Sequence, residues 1–157
     1  MHGHVLFKGL TFAAVLAAAA CTDKVGPTVG ERFAASLSGA NEIPAVTTTA
    51  TASAQFEVLN GVPGVYFTLT VTGIDSVTAA HIHGPADGTQ SAGVIVPLYA
   101  GTTGPGISGT LAQGGISSAI GITFDSLLVL LRTGNAYVNV HTKKNPGGEI
   151  RGQVTKQ

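Results

Sequence analysis

The residues best suited to chemistry in this sequence are three histidines. His81 and His83 stand two apart in Ala80-His81-Ile82-His83-Gly84, and His141 ends the run Ala136-Tyr137-Val138-Asn139-Val140-His141. Residues i and i+2 of a strand share a face, so His81 and His83 project together while Ala80 and Ile82 point the other way. The same alternation groups Tyr137, Asn139 and His141 against Val138 and Val140. If the apolar set faces a core, the three imidazoles lie on the outside and converge where the two strands are neighbours. Imidazole is a borderline ligand that suits copper and zinc alike, and a His-x-His pair with a third His makes a good ligand set for either. The structural alternative is that these side chains pin loops to the sheet by hydrogen bonds, with Glu149 and Arg151 forming a same-face ion pair. Such a pair, if exposed, contributes about 1 kcal/mol or less.

Other chemistry has little behind it. The sequence has no Gly-x-Ser-x-Gly nucleophile elbow and no phosphate-cradling Gly-x-x-x-x-Gly-Lys. Glu42, Asp87 and Glu149 are scattered, so sequence alone does not pair carboxylates for acid and base work. An enzymatic role is therefore disfavoured. Formal net charge is +0, and without residues 1–20 seven Lys/Arg stand against eight Asp/Glu, so no basic surface seeks nucleic-acid phosphates.

These residues need elements to hold them. Of the 157 residues, the first eight make a short basic start, and 9–20 form an apolar stretch too short to span a bilayer as a helix. Residues 1–20 are expected to be a signal peptide, which would also remove His2 and His4 and leave three of the five histidines. The one cysteine, Cys21, follows Ala18-Ala19-Ala20, where bacterial lipoproteins carry the thiol that receives lipid. Cleavage by ordinary signal peptidase after Ala20 is the alternative. Residues 21–31 are then a lipid-anchored tether and 32–157 one folded domain, exported to the cell envelope and held at the membrane. A single cysteine also excludes an intramolecular disulfide.

The domain has 22 Gly in the whole chain, 6% aromatic and 10% charged residues, a composition of strands and turns. Strands are expected over 33–37, 49–59, 65–71, 78–83, 93–99, 107–113, 136–142 and 149–155, with turn residues between them. In 65–72 Val65, Phe67, Leu69 and Val71 alternate with Tyr66, Thr68, Thr70 and Thr72, as in a half-buried antiparallel strand. Residues 125–132 suggest a short helix that plugs one end of the core. Seven or eight short strands argue for an all-β, Greek-key antiparallel sandwich or barrel with one short helix.

Three stretches resemble the chordin-type (CHRD) domain: Phe33-Ala34-Ala35-Ser36-Leu37-Ser38-Gly39 with Glu42-Ile43-Pro44, Ala80-His81-Ile82-His83-Gly84-Pro85-Ala86, and residues 134–142 with Gly148-Glu149-Ile150-Arg151-Gly152-Gln153. The resemblance implies an Ig-like barrel or sandwich outside the cytoplasm, but it implies no reaction. The first functional expectation is a non-catalytic binding module that offers its loops to a protein or glycan partner. The histidines are also similar in arrangement to the copper site of copper–zinc superoxide dismutases, which implies a copper or zinc site at His81, His83 and His141, with redox activity as a further alternative. By the same likeness Arg151 is an expected anion or partner contact. The likeness is incomplete, because no histidine is left for a bridging position and a disulfide is excluded.

Overall fold

The computed structural model describes residues 26–157. The expected signal peptide, 1–20, and Cys21 lie outside them. Among the described residues the chain forms β1 (Val29–Ser38), β2 (Thr51–Leu59), β3 (Val65–Ile74), β4 (Val77–His83), β5 (Val94–Ala100), β6 (Ile107–Ile116), α1 (Phe124–Thr133), β7 (Tyr137–Thr142), β8 (Ile150–Gln153) and β9 (Thr155–Lys156). A single 3-10 turn, Gly39–Asn41, follows β1. β1 begins at Val29, inside the stretch expected to be a tether.

The strands are ordered β5-β4-β7-β8-β1-β2-β3-β6, and β9 pairs with β1. β1 to β3 form a meander. The chain then crosses from β3 to β4, and from β5 at one end of the path to β6 at the other, which gives the Greek-key connections expected of an all-β barrel. The two ends nearly close, and the Ile120 N–H just after β6 donates to the Ile95 carbonyl of β5 at 2.8 Å.

Strand alternation builds the interior. Phe33, Ala35 and Leu37 of β1, Ala54 and Phe56 of β2, Leu69 and Val71 of β3, Ala80 and Ile82 of β4, and Val138 and Val140 of β7 all belong to one buried cluster. The helix is capped at both ends by its own sequence: Thr123 accepts from the Ser126 N–H at its start, and Gly134 takes the left-handed conformation (φ 70°) at its end. Leu127 and Leu131, one turn apart, are buried, so α1 plugs the barrel end as expected. Glu31 ties this end together, pairing with Arg132 of α1 at 2.6 Å and Lys156 of β9 at 3.0 Å.

The outer faces of the barrel differ. Along β2 and β3 the outward residues, among them Ser53, Gln55, Tyr66 and Thr72, are exposed. Across β4, β7 and β8 the outward side chains are largely covered, so Tyr137, Asn139 and Arg151 are as buried as a core residue. This covered polar face holds the histidines.

Candidate metal centre

Pairing places the face in rows. β7 lies between β4 and β8, with His81 opposite Asn139, Asn139 opposite Arg151, and His83 opposite Tyr137. His141 pairs with Ala79, which sets it diagonally next to His81. The three expected ligands are therefore brought together, with one nitrogen from each lying within 4.8 Å of the others.

Hydrogen bonds decide which nitrogens are free. His83 Nδ1 lies 2.9 Å from the Ala92 carbonyl, and His141 Nδ1 lies 2.9 Å from the Pro146 carbonyl. A carbonyl only accepts, so each Nδ1 carries the proton and each Nε2 keeps its lone pair. His141 Nε2 accepts from His81 Nδ1 at 3.0 Å, which places the His81 proton on Nδ1 and its lone pair on Nε2, while His83 Nε2 is buried with only the Asn139 side chain beside it. Nitrogens held at about 2.0–2.1 Å by a tetrahedral ion stand about 3.3 Å apart, so three nitrogens within 4.8 Å are within reach of one ion once the proton between His81 and His141 is displaced. The buried His83 Nε2, which makes no hydrogen bond and has only the Asn139 side chain near it, is the observation that fits a metal best, because a polar atom left unsatisfied costs about 1–3 kcal/mol. Loop pinning, the structural alternative, is also present, and it is what leaves the lone pairs free.

Electrostatics keeps His81 and His83 in the ligand form. Burial, followed by the charges of His141 and His83, pulls His81 down to about 4 from an ordinary 6.5. Burial also lowers His83, with the Ala92 bond and nearby Asn139 opposing and His141 and Arg151 assisting. Neutral imidazole is what a metal binds.

Three sequence expectations about this face need correction. The first concerns the exposure of the histidines: they lie on the outer face as expected, but that face is covered and His83 is only 7% exposed. The loop 84–93 lies over it, because His83 Nδ1 and the Tyr137 hydroxyl both bond Ala92. The second is that Asn139 belongs to the surface: it is 3% exposed. The third is the Glu149 and Arg151 ion pair, which is not formed. Glu149 accepts from Thr48, Thr142 and Asn145 at 2.8, 2.6 and 3.0 Å. Burial pushes its carboxyl up, but these three bonds outweigh it and hold the group below its usual range. Gly148 makes room for this loop. It has a φ of 131°, and a Cβ there would strike Glu42 Oε1 and Asn139 Nδ2.

Arg151, expected to contact an anion or a partner, is 2% exposed. Its Nη2 donates to the Asp87 and Gln90 carbonyls at 3.1 and 2.7 Å. Its Cζ lies 3.5 Å from the centroid of Tyr137, which stacks on His83 in turn. Beside it is a cavity of about 310 Å³ lined by residues including Glu42, Gly88 and Gln153. Tyr137 and Asn139 were not singled out as site residues from sequence. The signal available was their alternation with Val138 and Val140, which put them on the face of His141.

A family model of the CHRD domain matches residues 33–154. No curated protein and no solved structure matches the chain.

Proposed function

The chain belongs to the CHRD domain family, and from that premise we propose that it is a non-catalytic binding module whose ligand is a copper or zinc ion held by His81, His83 Nε2 and His141 Nε2, with the proton between His81 and His141 displaced on binding. The observation that carries the proposal is the direction of the lone pairs. Two of the three rings spend their Nδ1 protons on loop carbonyls and leave Nε2 as the lone-pair nitrogen, within 4.8 Å of a nitrogen of the third ring. Backbone carbonyls in this role fix the tautomer and the ring orientation of metal-binding histidines. Three protein nitrogens also leave a coordination position for a water or a group on a partner. Binding, not turnover, is proposed, because the described neighbours of the three rings, among them Tyr137 and Asn139, hold the rings in place by stacking and strand pairing.

The reading extends to where the module works. Cys21, preceded by the apolar stretch 9–20, receives lipid and holds the domain at the cell envelope. The support is the sequence of that segment and the lack of any other cysteine. Calorimetric titration of chelator-stripped protein tests the ligand: one ion per chain is expected for the wild type, lost in both His83→Ala and His141→Ala. Absence of copper and zinc binding in folded wild-type protein overturns it.

A further inference from the structure

We infer that the three-histidine site favours monovalent copper over divalent zinc and that Arg151 strengthens this preference. The inference rests on the metal-binding reading above. Three imidazoles form the donor cluster, with no carboxylate or thiolate among them. Zinc in a protein site is almost always completed by a fourth ligand, often an anionic one, whereas three nitrogen donors are a sufficient shell for monovalent copper.

Arg151 adds a charge term of the same sign. Its guanidinium is buried and permanently positive, and among the described residues it forms no ion pair. Arg151 comes from β8 and His83 from β4, the strands on either side of β7, and both pack on the Tyr137 ring of β7. The result is a guanidinium, phenol and imidazole stack that ends at a proposed metal ligand. The carboxyls that feel Arg151 are Glu42 and Asp87, and neither reaches it as an ion pair. A fixed positive charge repels a bound cation in proportion to the cation's own charge, so a divalent ion loses twice what a monovalent ion loses. Burial weakens the screening that would erase this difference at a surface.

The test is a pair of competition titrations on the metal-free protein. Monovalent copper is competed against a chromophoric chelator under anaerobic reducing conditions, and zinc against a zinc chelator, for wild type, Arg151→Lys and Arg151→Gln. Each protein is first melted to establish that it is folded. The wild type is expected to bind monovalent copper more tightly than zinc. Arg151→Gln should shift the copper-to-zinc affinity ratio toward zinc by on the order of tenfold, and Arg151→Lys should retain most of the wild-type ratio. An unchanged ratio in folded Arg151→Gln overturns the role of Arg151. Zinc bound as tightly as copper by the wild type overturns the preference, whether or not either variant folds. Binding of neither metal is a different result, which removes the metal-binding reading itself.

Discussion

The Tyr137 ring lies parallel to the His83 imidazole, with centroids 4.8 Å apart and planes 4° from coplanar. The same tyrosine bonds Ala92 through its hydroxyl, and His83 Nδ1 meets the Ala92 carbonyl. Ring and loop therefore fix His83 together. Tyr137→Phe keeps the stack and loses the hydroxyl bonds, so it should cost about 1 kcal/mol and leave metal affinity near wild type. Tyr137→Ala removes the stack and a buried ring and should cost about 3–5 kcal/mol. Denaturant melts with metal titrations on both proteins check this. Equal metal affinity in a folded Tyr137→Ala protein would show that His83 needs no such support.

Acid should act on the metal-free domain in two separable windows. His81 is held down to about 4 in the folded state against an ordinary 6.5. The unfolded chain then holds more protons in that interval, so this contribution is present above about pH 6.5 and is lost as pH falls toward 4. Glu31 is pulled down to about 2 from 4.5, first by its hydrogen bond from Arg132 and then by that from Lys156. Its contribution is present above about pH 4.5 and is lost toward pH 2, and salt weakens it because the group is near the surface. His81→Gln should flatten the upper window of a melting-temperature profile, and Glu31→Gln the lower one. A profile unchanged by both substitutions would contradict these assignments.

Core register can be tested one strand position at a time. Val140 points inward and is fully buried, so Val140→Ala should cost about 1–3 kcal/mol through lost burial and a residual cavity. Asn139 points outward but is buried under the covering loops, so Asn139→Ala should cost more than an exposed polar residue would, by about 1 kcal/mol. Unfolding in urea measures both. Near-zero effects at Val140 would reject the inward assignment.

Alternation made much of this readable beforehand. Phe33, Ala35 and Leu37, or Val138 and Val140, announce an inward face because side chains in a strand repeat every two residues. His81, His83 and His141 fall on one outer face by the same count. The count does not show that this face is covered. Burial of His83, Asn139 and Arg151 depends on loops 84–93 and 143–149 folding back over β4, β7 and β8, which is a tertiary fact. Glu149 and Arg151 illustrate the difference. They sit two apart, as an ion pair would need, yet one is drawn to Thr48, Thr142 and Asn145 and the other to the Asp87 and Gln90 carbonyls.

The anchor is tested away from the fold. Cys21→Ser should move the protein from the membrane fraction to the soluble fraction and remove the mass of an attached lipid. The domain itself should melt as before, because the described contacts begin beyond that residue. Wild-type protein that is soluble and begins at an unmodified Cys21 would refute lipidation.

His83→Ala separates the structural and metal-binding roles of one side chain. As a free surface group it would leave the metal-free domain untouched, but its ring stacks on Tyr137 and its Nδ1 holds the Ala92 carbonyl. Removing it should therefore cost the metal-free protein about 1–2 kcal/mol. In wild type, a metal that binds only the folded state adds stability by mass action, about 2.7 kcal/mol at a free concentration one hundred times Kd. That is several degrees of melting temperature for a domain of this size. His83→Ala should lose this gain on top of its smaller intrinsic cost. Melting curves of both proteins with and without metal give the two terms separately. If His83→Ala lowers the metal-free melting temperature but keeps the full metal-induced rise, His83 supports the loop and does not bind the ion.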